Sequence, residues 1–251
     1  MSLRIAFDLD GVLADMESEL VRQAEMVFGE SMTRVLQDRA RGAEAPADPL
    51  MPPATEDTDS PTEGAGDQPS PLVRLQMTGR QERRLWRHVE SIDGFWESLQ
   101  ETEPGAVARL ATLATDRRWE VIFLTKRPQS AGATAQVQTQ RWLEAKGFAL
   151  PSVFVVQGSR GRVAAALALS FVVDDRPENC LDVVLDSTAR AILVWRDDEK
   201  RLPITVKRPG IGLVQSVEEC LNILAGTDSP IRERPGVVGR VKPVLRFKDD
   251  E

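Results

Sequence analysis

Apolar residues along this 251-residue chain fall into short unbroken runs, separated by longer stretches where they recur at helical spacing. The runs Leu3 to Phe7, Glu120 to Leu124, Val153 to Val156, Ser170 to Val173 and Ala191 to Val194 predict five buried β-strands. After the first, Asp15 to Arg41 reads as a helix with Leu20, Val21, Met26, Val27, Val35 and Leu36 loosely on one face, broken near Gly29. Helical spacing resumes over Thr78 to Ser91, through Leu85, Trp86 and Val89, and Gly94 marks its end. Pro104-Gly105 opens a helix to Arg117 whose stripe is Val107, Leu110, Ala111 and Leu113. Further helices are predicted over Gln136 to Lys146, Arg162 to Leu169, Leu181 to Asp186 and Ser216 to Ala225. Strands alternating with helices in this way define a doubly wound, mainly parallel α/β sheet.

Two stretches depart from that rhythm. Gly42 to Pro71 holds seven prolines among Ala, Asp, Glu, Thr and Gly, with almost no apolar periodicity. It cannot bury enough surface to offset its ordering entropy, so it is expected to be a flexible loop. Residues 227–251 are Pro- and charge-rich and are expected to form a poorly ordered tail or a strap. The interval between the first and second strands is far longer than a βα loop.

Composition narrows the chemistry. A formal charge of −7 and a pI near 5.0 argue against binding a nucleic-acid polymer, which would need a basic face. Cys180 and Cys220 have no metal-ligand spacing and sit beside apolar helix positions, as reduced packing residues would. His88 is the only histidine, inside the charged stretch QERRLWRHVE, and there is no tyrosine. A Ser-His-Asp hydrolase or a paired-histidine zinc site would have to be built on that one residue, which reads instead as a helix-face group. Acid and base work then falls to carboxylates. With Asp8 and Asp10 interrupting any leading apolar region, no signal peptide is expected, nor any membrane span, and the expected compartment is the cytoplasm.

The ends of three strands carry the candidate chemistry. The first runs into FDLDGVLAD, Phe7 to Asp15, so Asp8 and Asp10 emerge together. Two carboxylates at that spacing raise each other's pKa unless they share a cation. The second strand ends in Thr125, Lys126, Arg127 and Pro128, and the fourth in Asp174, Asp175, Arg176 and Pro177. In an open parallel sheet such ends converge on one crevice. Carboxylates for a hard cation, with a hydroxyl and bases for an anion, describe a site for Mg²⁺ and phosphate.

These residues resemble the haloacid dehalogenase superfamily of phosphohydrolases. FDLDGVLAD is similar to its first motif, Thr125 to its second, and VVDDRPEN, Val172 to Asn179, to its fourth. With GFWESLQETEPGAVARL, Gly94 to Leu110, the set is most similar to the 5'(3')-deoxyribonucleotidases and related nucleotidase-like proteins. The resemblance implies a Rossmann-like core of residues 1–15 and 101–226, with a small helical cap, residues 16–100, inserted after strand one and closing over the site. Phe28, Trp86, Phe95 and Trp96 are that insert's aromatic candidates for contact with a base, or alternatively core residues. It further implies Mg²⁺ held by the Asp8 carboxylate, the Asp10 carbonyl and Asp175, with Asp174 beside it. Asp8 becomes the nucleophile that forms an aspartyl-phosphate, and Asp10 the general acid and base. Thr125 and Lys126 would bind phosphate.

The family's third motif uses a Lys before strand four, where this chain has Gly158-Ser159-Arg160-Gly161-Arg162-Val163. Arg162, taken as the residue that opens the following helix, is preferred for the role, with Arg160 next. An Arg binds through a planar fork rather than as a point charge, so the exchange is not conservative in itself. The expected activity is Mg²⁺-dependent hydrolysis of a phosphomonoester, a nucleoside or deoxynucleoside monophosphate. The alternatives are another small phosphometabolite as substrate, or a non-catalytic phosphate-binding or regulatory protein. No oligomeric state follows, a homodimer being one of those left open.

Overall fold

The computed structural model describes residues 2–29, 77–197, 201–203, 206 and 208–227. The chain divides into two compact units, Met1–Met16 with Asp93–Glu251, and Glu17–Ile92. The first contains β1 (Arg4–Asp8), α3 (Ala106–Arg117), β2 (Glu120–Thr125), α4 (Ala135–Ala145), β3 (Ser152–Val155), α5 (Arg160–Ala166), β4 (Phe171–Asp174), α6 (Pro177–Asp186), β5 (Arg190–Val194), β6 (Ile211–Val214) and α7 (Val217–Thr227). The second holds α1 (Met16–Phe28), apart from its first residue, Met16, and α2 (Gly79–Ser91).

All strand pairings are parallel, in the order β3-β2-β1-β4-β5-β6. Strands buried on both faces explain the unbroken apolar runs: Ile5, Ala6, Phe7, Val172 and Val173 are fully buried. From β1 the chain winds outward through β2 and β3, then returns to lay β4 on the other flank of β1. Asp8 pairs with Leu124 of β2 and Phe7 with Val173 of β4, so the ends of β1, β2 and β4 lie side by side at this reversal. A reversal of strand order opens a crevice outside the carboxyl ends.

The sheet has one strand more than the sequence pattern predicts. β6, with the sequence IGLV, follows Pro209-Gly210 and contains Gly212, so its apolar run is too short and too glycine-rich to stand out. It pairs with β5 from Ala191↔Ile211 to Val194↔Val214. Gly161 permits another close approach: a Cβ there would sit 2.1 Å from the Asp182 carbonyl oxygen, so α5 lies on α6 only without one.

In the second unit, Thr78 and Gln81 form a capping box at the start of α2. His88 Nε2 lies 2.9 Å from Gln23 Oε1, and Arg84 lies over the Phe28 ring at 5.3 Å. His88 thus joins α2 to α1. The expected continuation of the first helix through Val35 and Leu36 to Arg41, the loop at 42–71 and the tail beyond 227 lie outside the described residues. No helix among the described residues is long and apolar enough to cross a membrane.

Candidate active site

Asp8 ends β1, with only 7% of its surface exposed, and Asp174 ends β4 fully buried. Asp8, Asp174 and Asp175 each offer an oxygen such that the three lie within 4.8 Å of one another. Burial pushes the Asp175 carboxyl up to about 7, with the Asp8 charge adding to the effect. Asp8 is likewise pushed up, first by burial and then by Asp174, and Asp174 by burial and then by Asp175. Asp175 Oδ1 is buried without a hydrogen-bond partner. An orphaned oxygen among mutually repelling carboxylates is the donor set that a hard divalent cation satisfies, and Mg²⁺ fits it. Gly11 makes room for the trio. Its φ is +88°, and a Cβ would fall 2.0 Å from Asp175 Oδ2.

Asp174 accepts from the Arg176 backbone N–H at 2.9 Å and from Asn179 Nδ2 at 2.9 and 3.1 Å, which fixes its carboxylate. Opposite it stands Arg160, 2% exposed. Arg160 Nη2 donates to Asp8 Oδ1 at 2.6 Å, and its Nε lies 3.8 Å from Asp174 Oδ2. Nε and Nη1 are buried without a hydrogen-bond partner. Lys126 is half-buried, and its pKa is lowered by burial and by the neighbouring Arg160 and Arg176.

The helix at the third motif starts two residues earlier than the sequence pattern predicts, at Arg160 and not at Arg162. Ser159 caps α5, accepting from the N–H groups of Gly161 and Arg162, so the helix opens at Arg160 and not two residues later. That turns Arg160 inward to Asp8, while Arg162 is exposed. The Ser159 cap was the signal available in the sequence.

Asp10 stands apart from the trio. Arg127 Nε reaches its two oxygens at 2.9 and 3.1 Å, Arg127 Nη2 reaches Oδ1 at 2.7 Å, and Thr125 Oγ1 donates to Oδ2 at 3.0 Å. The single proton of the Thr125 hydroxyl is thus directed at Asp10, whereas the sequence reading aims it at a phosphoryl oxygen. Thr125 Oγ1 also accepts from the Arg127 backbone N–H. In the sequence, Arg127 stands out only as part of a basic strand end. Trp96 and Phe95, candidates for base contact, are fully buried in the unit that holds the sheet, and Trp96 lies beneath the Arg127 guanidinium at 5.0 Å.

A further missed residue is Arg196, which donates to the Gly11 and Val12 carbonyls and to Glu103 Oε1. Glu103 in turn accepts from the first N–H groups of α7, at Val217 and Glu218. This chain of bonds ties the turn after Asp10 to the far end of the sheet. Cys180 and Cys220 are both buried free thiols, and burial pushes both pKa values up.

No protein-family model matches the sequence, and no curated protein sequence matches it. Solved structures do. A dehalogenase with an intermediate complex is 12% identical, with a TM-score of 0.51, over 89% of this chain and 97% of its own. A hydrolase of the haloacid dehalogenase family from Deinococcus radiodurans R1, with bound phosphate and sodium, is 15% identical, with a TM-score of 0.48, over 92% and 99%. The L-2-haloacid dehalogenase from Xanthobacter autotrophicus, with chloropropionic acid covalently bound, is 12% identical, with a TM-score of 0.46, over 90% and 99%. At such identities the likeness concerns the fold alone, a parallel α/β sheet of Rossmann type shared with that dehalogenase.

Proposed function

We propose that the protein is a Mg²⁺-dependent phosphomonoester hydrolase acting through an aspartyl-phosphate on Asp8. The observation that carries the reading is the meeting of Asp8, Asp174 and Asp175 within 4.8 Å at the reversal of strand order, with Arg160 against Asp8 and Lys126 nearby. A bound Mg²⁺, held by these three carboxylates, would offset their charge and that of a phosphoryl group's oxygens. Arg160 and Lys126 supply positive charge for the same oxygens, and Arg160 has two N–H-bearing nitrogens without hydrogen-bond partners.

In the reaction an Asp8 oxygen attacks phosphorus as the ester P–O bond breaks. Asp10 gives its proton to the leaving oxygen. Water then attacks phosphorus, its proton returns to Asp10, and the Asp8–phosphorus bond breaks to release phosphate. The motif resemblance favours a nucleoside or deoxynucleoside monophosphate as substrate; composition and charge favour the cytoplasm, with no nucleic-acid polymer or membrane as partner. The test is phosphate release from nucleoside monophosphates and sugar phosphates, with Mg²⁺ and with chelator. Mg²⁺-dependent release is expected, greatest from a nucleotide. Release greatest from a sugar phosphate would change the substrate, and none from any compound would leave a phosphate-binding protein.

A further inference from the structure

We propose that Arg127 is a positioning residue which acts through Asp10, holding that carboxylate in the orientation proton transfer requires; this rests on the hydrolase reading above. Its side chain is fully buried, and burying a guanidinium is costly unless its donors are satisfied. Every one of its side-chain nitrogens has a partner. Nε and Nη2 grip Asp10 as a fork, and Nη1 donates to Thr139 Oγ1 at 2.9 Å. Its plane lies over Trp96 at 5.0 Å.

The elements around the guanidinium are themselves fixed. Trp96 Nε1 donates to the Pro128 carbonyl at 3.1 Å, and its backbone N–H to Gln138 Oε1 at 3.1 Å. Gln138, fully buried beside Thr139 on α4, also donates to the carbonyls of Ala131 and Ala133. The guanidinium is thus anchored by Thr139 and Trp96, neither of them a substrate-facing group. Only its remaining partner, Asp10, belongs to the proposed chemistry. An Arg with every nitrogen committed has little left for a ligand, so its effect has to pass through the carboxylate it holds. A Lys would deliver the charge without the two-point grip that fixes a carboxylate's plane. Rate falls steeply when a reacting group is misplaced by about 1 Å.

Positioning of a proton donor can be separated from general support by changing how much the leaving oxygen needs the proton. Phenyl phosphate leaves as a basic phenolate and needs it; para-nitrophenyl phosphate leaves as a charge-delocalised anion and does not. kcat/KM, which reports the steps up to transfer onto Asp8, should fall about 100-fold for phenyl phosphate in Arg127→Met and by less than about 3-fold for the nitrophenyl ester. Asp10→Asn should show the same discrimination, and the double variant should be no worse than Asp10→Asn alone.

Thr139→Val removes only the acceptor of Nη1. It carries the test if Arg127→Met does not fold, with the same discrimination at about 5-fold. Equal losses on the two esters in the folded variant, or additive losses in the double variant, would overturn the positioning role while leaving the hydrolase standing. A wild type that releases phosphate from neither ester would overturn the hydrolase reading, and this inference with it.

Discussion

Asp175→Asn should make the metal-free protein more stable at pH 8, although it removes a residue of the candidate site. The Asp175 carboxyl lies at about 7 in the folded protein, raised from 3.8 chiefly by burial and by the Asp8 charge. Below pH 3.8 both folded and unfolded chains hold the proton, and the group contributes nothing. Between 3.8 and about 7 the folded state keeps a proton that the unfolded state has lost, so stability falls as pH rises. Above about 7 the loss is complete, and the displacement from 3.8 to there corresponds to about 4 kcal/mol.

An Asn carries no charge but leaves an amide where Oδ1 already lacks a partner, at a cost of about 1 to 3 kcal/mol. The net gain is about 1 to 3 kcal/mol, or roughly 3 to 10 °C in Tm for a chain of this size. Thermal unfolding after chelation, at pH 5 and pH 8, measures it. The advantage of Asn should shrink toward pH 5, and Mg²⁺ should raise the wild-type Tm while leaving that of the variant nearly unmoved. A variant less stable than wild type at pH 8 without metal, with the same pH dependence, would refute the argument that Asp175 is strained by charge.

Arg160→Ala strands Asp8 and Asp174 without their buried counter-charge and should cost about 3 to 5 kcal/mol in urea unfolding, whereas exposed Arg162→Ala should change stability by less than about 0.5 kcal/mol. Asp8→Asn should lower kcat by more than about 1,000-fold in steady-state phosphate release, with inorganic phosphate still bound in titration calorimetry; activity within tenfold of wild type would remove the covalent step. Gly11→Ala places a methyl against Asp175 Oδ2 at a φ of +88°, so both the chelated Tm and its rise with Mg²⁺ should fall in a thermal shift assay.

The sheet was legible because its central strands are buried on both faces, which leaves unbroken apolar runs, and the acidic pairs at their ends mark where β1 and β4 stop. β6 was hidden because IGLV, preceded by Pro209-Gly210, is more like a turn than a strand by composition, and only pairing with β5 makes it one. Within the site, Asp8, Asp174 and Asp175 could be brought together on paper because their strand ends are neighbours in any sheet of this order. The arginines could not. Which of Arg160 and Arg162 turns inward depends on the phase of a seven-residue helix, and a start misplaced by two residues rotates the preferred side chain to the opposite face. Arg127 was missed because an Arg just after a strand reads as one more base for an anion at the strand's end. Its burial depends on Thr139 and Trp96, one twelve residues after it and the other thirty-one before, and no local pattern announces either.

The two arginines divide the site between chemistry and scaffold. Asp8 and Asp10 are two residues apart, yet each has its own buried guanidinium, one from the start of α5 and one from just beyond β2, and the donors left over differ. Arg160 places one nitrogen on Asp8 and keeps two without hydrogen-bond partners beside Asp174. Arg127 has spent all three on Asp10 and Thr139. Buried N–H groups are expensive to leave unmet, so a chain that gives every nitrogen of one guanidinium a partner, and leaves two of the other's without one, keeps donors open where an anion can meet them. In the proposed reaction the phosphoryl group would therefore sit on the Arg160 side, against Asp8 and the carboxylate trio. The Arg127 side belongs to the frame that holds Asp10.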